Sequence, residues 1–274
     1  MASQPTKARA EPIQFALDNE EFEGRSMMPW FSYQVSMPIQ PMPGLSARPH
    51  VRTKRLVLRP FVASDFEAFH DLRSREETQH GSMLRGRASR DRDESRRQLD
   101  SLLEGDGQMH WYFGAFLQAT GELVGEAGLP DCVTMARSGW PEAEVLIKKE
   151  HWRQGYGTEM LNAWLTSWWA LPRQIRRHQL FPLATGWEEP GAELLDGVGF
   201  GWEETNQAAS SFFPKVLSAD GGVFAQGFFE EFDQRDGREP QIIRWNGIIT
   251  SNPHGLEAYR TAEGDTSGEG TSEA

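Results

Sequence analysis

Residues 142–172, EAEVLIKKEHWRQGYGTEMLNAWLTSWWALP, restrict the fold of this chain more than any other stretch. The first part alternates, with Glu142, Glu144 and Leu146 on one side and Ala143, Val145 and Ile147 on the other, which is the period of a strand. Leu161, Trp164, Leu165 and Trp168 then recur at helical spacing, and Pro172 stops the helix. Between them stand Gly155 and Gly157, one residue apart. A strand that turns through a glycine pair directly into an amphipathic helix belongs to an α/β architecture.

The flanking sequence extends that pattern. TKRLVLRPF (53–61) reads as a strand ending at Pro60. SDFEAFHDLRS (64–74) opens with Ser64 as N-cap and Glu67 three residues on, a capping box, and continues as a helix through Phe66, Phe69 and Leu72. RDRDESRRQLDSLLEG (90–105) is a second helix, with Asp93 and Arg97 spaced to pair along it. HWYFGAFL (110–117) and ELVGEAGL (122–129) form a hairpin around a Thr-Gly turn. RHQLFPLA (177–184) reads as a strand and GAELLDGVGF (191–200) as a short helix closed by glycine. The order predicts a mixed α/β domain over residues 51–250 on a mainly antiparallel sheet, with one crossover helix. Residues 1–50, rich in Pro and Met, read as an arm that lies on the domain through Trp30, Phe31 and Tyr33; residues 251–274 read as a disordered acidic tail. Residues 207–240 read as a late insertion carrying six phenylalanines, from Phe212 to Phe232. These either pack as a satellite cluster or wall an acceptor groove.

Three uses of the glycine pair compete. A dinucleotide fingerprint needs a third glycine where Met160 stands, and a phosphate-binding P-loop needs Gly-Lys-Ser/Thr where the chain has Gly157-Thr158-Glu159. A plain tight turn is the third. The whole stretch EAEVLIKKEHWRQGYGTEML resembles the central motif of the GNAT superfamily of acyl-CoA N-acetyltransferases, and within it the branch similar to ribosomal-protein-alanine N-acetyltransferases. The resemblance covers residues 53–200, and the element order agrees with that fold.

The resemblance implies acetyl-CoA as co-substrate, no metal, and a primary amine acceptor, either a small molecule or a peptide. It implies that the amides of Gln154, Gly155, Tyr156, Gly157 and Thr158 bind the pyrophosphate at the helix start, with Arg153 as the charged contact. Leu146 and Ile147 contribute strand backbone beside the acyl group. The physics agrees, because a helix N-terminus presents unpaired amides and the positive end of its dipole. Lys148, Lys149 and the cluster Arg173, Arg176, Arg177 are further cations for a ribose phosphate, although cations after a helix C-terminus are also favoured by the dipole alone. An ammonium has no lone pair, so the acceptor must shed a proton, and a carboxylate can take it. Glu142 matches the family's acidic position and is favoured as base over Glu144, which falls where many members have Gly.

The second half departs from the family. Tyr33, Tyr112, Tyr156 and Tyr259 are the only tyrosines, so the late tyrosine that protonates the leaving thiolate is missing, as is the late asparagine. A catalytically silent acyl-CoA-binding or scaffolding protein is therefore the second expectation. The formal net charge of −12 argues against nucleic acid as partner, and no apolar run approaches a membrane span. A single cysteine, Cys132, allows no intrachain disulfide, and a cytoplasmic setting is the default expectation.

Overall fold

The computed structural model describes residues 13–17, 30–79, 82, 87–130, 138–185, 188–219, 223–232 and 241–252. Cys132, the 221–222 glycine pair and residues 253–274 lie outside them.

The expected hairpin of 110–117 and 122–129 lies within a five-stranded antiparallel sheet in the order β3 (Val51–Arg52), β4 (Leu56–Arg59), β5 (Trp111–Leu117), β6 (Leu123–Leu129) and β7 (Glu144–Ile147). Alternation assigns its faces. Tyr112 and Phe116 turn toward α1 (Phe66–Arg73) and α3 (Arg92–Leu103), where Phe61, Phe69, Leu72 and Leu99 complete a buried cluster. Trp111, Phe113 and Ala115 turn the other way, onto α4 (Tyr156–Trp169), whose Met160, Leu161, Trp164 and Trp168 are at most 1% exposed. A one-turn helix, α2 (Glu76–Gln79), packs against β7.

Two details of α1 and α3 differ from expectation. Ser64 does not cap α1: the chain enters through a 3-10 turn, Ala63–Asp65, and it is Asp65 that accepts from the Val62 amide (2.9 Å) and from both terminal nitrogens of Arg59 (2.7 Å each). Glu67 is drawn instead to Arg92 across the two helices, and Arg87 pairs with Glu94. Asp91 caps α3 by accepting from the Glu94 amide at 2.7 Å.

The second half folds differently from the short-helix reading. GAELLDGVGF forms β9 (Glu193–Leu194) and the start of β10 (Gly197–Glu203). Helix propensity favours its Ala, Glu and Leu residues, but burial of Val198, Phe200 and Trp202 at strand spacing outweighs it. Residues 207–219 form α5, 223–232 form β11 and 242–251 form β12, so the phenylalanine-rich stretch is made of regular elements. The second sheet runs β1 (Ile13–Leu17), β11, β12, β10. Phe213 joins the main core against Phe200 and Trp202, with centroids at 5.3 and 5.2 Å, and Phe229 stacks on Trp245 at 6.5 Å. Phe213 is thus part of the main core rather than of a satellite cluster.

A third sheet has β2 (Phe31–Pro38) between β8 (Arg173–Leu180), antiparallel, and β9, parallel. The arm thus lies on the domain through a strand, with Tyr33 fully buried and Trp30 tilted onto Phe181 at 6.1 Å.

Candidate active site

The two larger sheets meet at one point. Glu142 and Gly199 form a single parallel bridge, with the Ala143 amide donating to the Gly199 carbonyl (2.9 Å) and the Gly199 amide to that of Pro141 (2.8 Å). Beyond it β7 pairs only with β6, and β10 only with β12, among the described residues. Two parallel strands that part after one bridge leave the outer backbone edge of Val145 and Ile147 without a strand partner among the described residues, with Glu142 half-buried at the point of parting.

The loop that follows is rigidly built. Lys149–His151 make a 3-10 turn, and the Trp152 indole N–H donates to the Ile147 carbonyl at 2.7 Å. Arg153 has φ 58° and Gly155 φ 82°; these left-handed residues reverse the chain and start α4 at Tyr156. Arg153, Gln154, Gly155 and Thr158 are exposed, and Tyr156 and Gly157 half-buried. The first amides of α4 have no partners within the helix and open outward with the positive end of its dipole.

A clamp absent from the sequence reading holds this loop. Glu159, in the first turn of α4, accepts from Thr53 Oγ1 (2.5 Å), the Arg55 amide (2.8 Å) and Arg55 Nε (2.7 Å). Arg55 Nη1 donates to the Gln154 carbonyl at 2.8 Å, and its guanidinium lies 4.1 Å from the Tyr156 ring centre. Burial pushes the Glu159 carboxyl up, but Thr53 and Arg55 more than offset it and hold it below its usual range.

The other expected cations are placed elsewhere. Lys148 is buried and pairs with Asp71 of α1 at 2.6 Å. Arg173 and Asp196 form a fully buried pair at 2.7 Å, and Arg176 and Arg177 lie on β8 against β2. Gly157 also has a packing role. A Cβ there would meet Phe212 of α5 at 3.1 and 3.3 Å, so this glycine makes room for that ring. Glu122, Glu150 and His151 bring ligand atoms within 4.8 Å of one another, but existing contacts account for the group: His151 meets Glu122 at 3.0 Å and Arg75 meets Glu150 at 2.9 Å.

Glu144 and Glu142, two apart on one strand face, have different surroundings. Glu144 is buried and accepts from the Ser82 hydroxyl. It belongs to a polar group under α1 and α2 that sequence reasoning missed: Arg73, Tyr112 and Glu126 are 2%, 1% and 0% exposed. The available signal was Glu126 itself, one charge inside the otherwise apolar ELVGEAGL.

Comparison with known proteins agrees with this geometry. The model of the acetyltransferase (GNAT) domain matches residues 55–194, a little over half the chain. Among solved structures, a GCN5-related N-acetyltransferase from Brucella melitensis aligns with a TM-score of 0.53 at 14% identity, covering 84% of this chain and 88% of its own. A probable GNAT acetyltransferase from Chromobacterium violaceum gives 0.52 at 12%, covering 78% and 92%. One from Bacillus anthracis gives 0.51 at 13%, covering 74% and 99%. At these identities the likeness is one of fold. No curated protein matches the chain. Among the described residues no helix is long and apolar enough to cross a membrane.

Proposed function

Because the chain belongs to the GNAT acetyltransferase family, we propose that it transfers an acetyl group from acetyl-CoA to a primary amine, on a small molecule or a peptide, by direct attack in a ternary complex. The observation that carries this reading is the junction of a clamped, left-handed loop at a helix start with two parting strands. The loop suits a pyrophosphate: the amides of Gln154 to Thr158 donate, Arg153 adds charge, and Gly155 leaves the mouth without a side chain. On the edge of β7 that faces away from β6, the Ile147 amide is the donor offered to an extended pantetheine chain and its acyl oxygen, its carbonyl being taken by Trp152. Coenzyme A supplies a thioester, an activated acyl group with a good leaving thiolate.

Glu142 takes the proton from the acceptor ammonium, which gives nitrogen the lone pair that attacks the acyl carbon. Its half-buried position at the parting of the strands suits a base that must meet substrate, whereas Glu144 is covered by Ser82. The acceptor enters from the face lined by α1 and α2, because Glu142 and Glu144 share that face of β7.

The test is thiol release from acetyl-CoA with and without a panel of amines, alongside calorimetric titration with coenzyme A. Binding with amine-dependent release is the expected result. Binding without it would make the protein a silent acyl-CoA binder, and no binding would remove the site assignment.

A further inference from the structure

A diphosphate asks for charge as well as for amides, and the loop's own cation, Arg153, is an exposed side chain on a left-handed residue. A second cation reaches the same loop from 99 positions earlier in the chain, just before β4.

A guanidinium carries five N–H bonds in one plane, on three nitrogens. In Arg55 two of those nitrogens are used inside the protein. Nε donates to Glu159 Oε2 at 2.7 Å, and Nη1 donates to the Gln154 carbonyl at 2.8 Å. The Tyr156 ring lies against the group, with its centre 4.1 Å from the guanidinium carbon. Three fixed contacts on a planar group leave the third nitrogen, Nη2, little freedom. It stands 3.3 Å from the position a Cβ on Gly155 would take, and among the described residues it has no hydrogen-bond partner. The space that a side chain at Gly155 would fill therefore belongs to a charged donor. Gly155 has two reasons to be glycine, its φ of 82° and the room for Nη2.

The acid that Arg55 pairs with bears on the same point. Glu159 sits in the first turn of α4, where an unmatched carboxylate would repel a diphosphate. Its oxygens are instead turned to the β4 side, where Thr53 Oγ1, the Arg55 amide and Arg55 Nε donate to them. The amides of Tyr156, Gly157 and Thr158 have no backbone acceptor among the described residues. Glu159 is 16% exposed and Arg55 37%, so the pair covers the carboxylate and leaves part of the cation to solvent.

Resting on the reading that this loop holds coenzyme A, we propose that Arg55 is a ligand of its diphosphate. Nη2 donates to a phosphate oxygen beside Gly155, while Nε and Nη1 hold the guanidinium in place. The contact is charge-assisted and needs no rearrangement of the side chain when the anion arrives.

The test is calorimetric titration of the whole chain with coenzyme A and with 3′-dephospho-coenzyme A, which share the diphosphate and differ in the ribose phosphate. Arg55→Gln should raise both Kd values by the same factor, about tenfold or more. Its Kd should also depend less steeply on salt than that of the unaltered protein, which a merely structural loss would not produce. The fold should hold, because Thr53 and the backbone amide at position 55 still donate to Glu159. Arg55→Gln combined with Glu159→Gln should bind as weakly as Arg55→Gln alone, since removing the acid does not restore the donor. Unchanged affinity, an unchanged salt dependence, or a loss confined to coenzyme A with its 3′-phosphate would overturn the proposal. So would full recovery in the double variant, which would make Arg55 only a mask for Glu159. If the unaltered protein binds neither nucleotide, the coenzyme A reading itself fails and this assignment falls with it.

Discussion

Gly157 offers a way to separate packing from ligand contact. An added Cβ would sit 3.1 and 3.3 Å from two carbons of the Phe212 ring, where carbon–carbon contacts settle at about 3.5–4.0 Å. Gly157→Ala therefore asks the ring to yield by a few tenths of an ångström. Against this stands a gain of up to about 1 kcal/mol from helix propensity, so the change should be near neutral. Gly157→Val adds two methyl groups in the same place and should destabilise by about 1–3 kcal/mol, lowering Tm by roughly 3–8 °C for a domain of this size. The strain pushes the start of α4 away from α5 and displaces the amides proposed to hold pyrophosphate, so affinity for coenzyme A should fall about tenfold or more. Phe212 is half-buried and meets Phe213 edge-on at 5.1 Å, so Phe212→Ala alone should be tolerated at about 1–3 kcal/mol. In the double variant the valine has room. Its stability should be no lower than that of Phe212→Ala, and coenzyme A affinity should return. Thermal melts and calorimetry on the four proteins measure both couplings. If stability recovers and affinity does not, the valine blocks the ligand directly and the geometric reasoning is wrong.

Three further outcomes are expected. Glu142→Gln should lower turnover about 10²-fold, with the loss shrinking as pH rises and free amine accumulates; an unchanged pH–rate profile would take the role of base from Glu142. His110 is 4% exposed, has its Nε2 2.7 Å from the Leu102 carbonyl, and is lowered to about 4, by burial first and then by Arg48. A base with depressed folded pKa loses its stabilising contribution as pH falls from about 6.5 through about 4, so unfolding free energy should drop by up to about 3 kcal/mol over that window, and His110→Asn should remove that slope in urea titrations. Asp196→Ala strands the fully buried Arg173 and should destabilise by about 3–5 kcal/mol, whereas Asp196→Asn should be milder because it keeps an acceptor; equal losses would mean that the ion pair is not what Arg173 needs.

The legible half of the fold is the half whose elements are local and whose periods are unmixed. Alternation in LVLR, WYFGAFL and EVLI, and the helical stripe of Leu161, Trp164 and Trp168, each specify one face, and the five-stranded sheet follows. After Pro172 the signals conflict. Pro214 sits inside α5, where an isolated sequence reads a breaker, and glycine-rich flanks make β11 look like a loop. Asp196 inside GAELLDGVGF reads as solvent-facing until Arg173, 23 residues earlier, is seen to bury with it. Such pairings are tertiary, and no window of neighbouring residues contains them.

The site divides along the same line. The glycine loop was readable because its chemistry is written in consecutive residues, and Glu142 and Glu144 because two residues on a strand must share a face. The clamp and the buried polar group around Glu126 were not, because each is assembled by register. Arg55 reaches Gln154 and Glu159 only because β4 lies beside the start of α4, and Glu126 and Glu144 are diagonal neighbours only because β6 and β7 align Glu126 with Leu146. A buried charge in an apolar strand is nevertheless a statement that a partner exists, since an isolated one is too costly to keep. ELVGEAGL carries that statement at Glu126, and DFEAFHDLR carries its answer at Arg73, on the helix position that looks down onto the sheet beside Phe69.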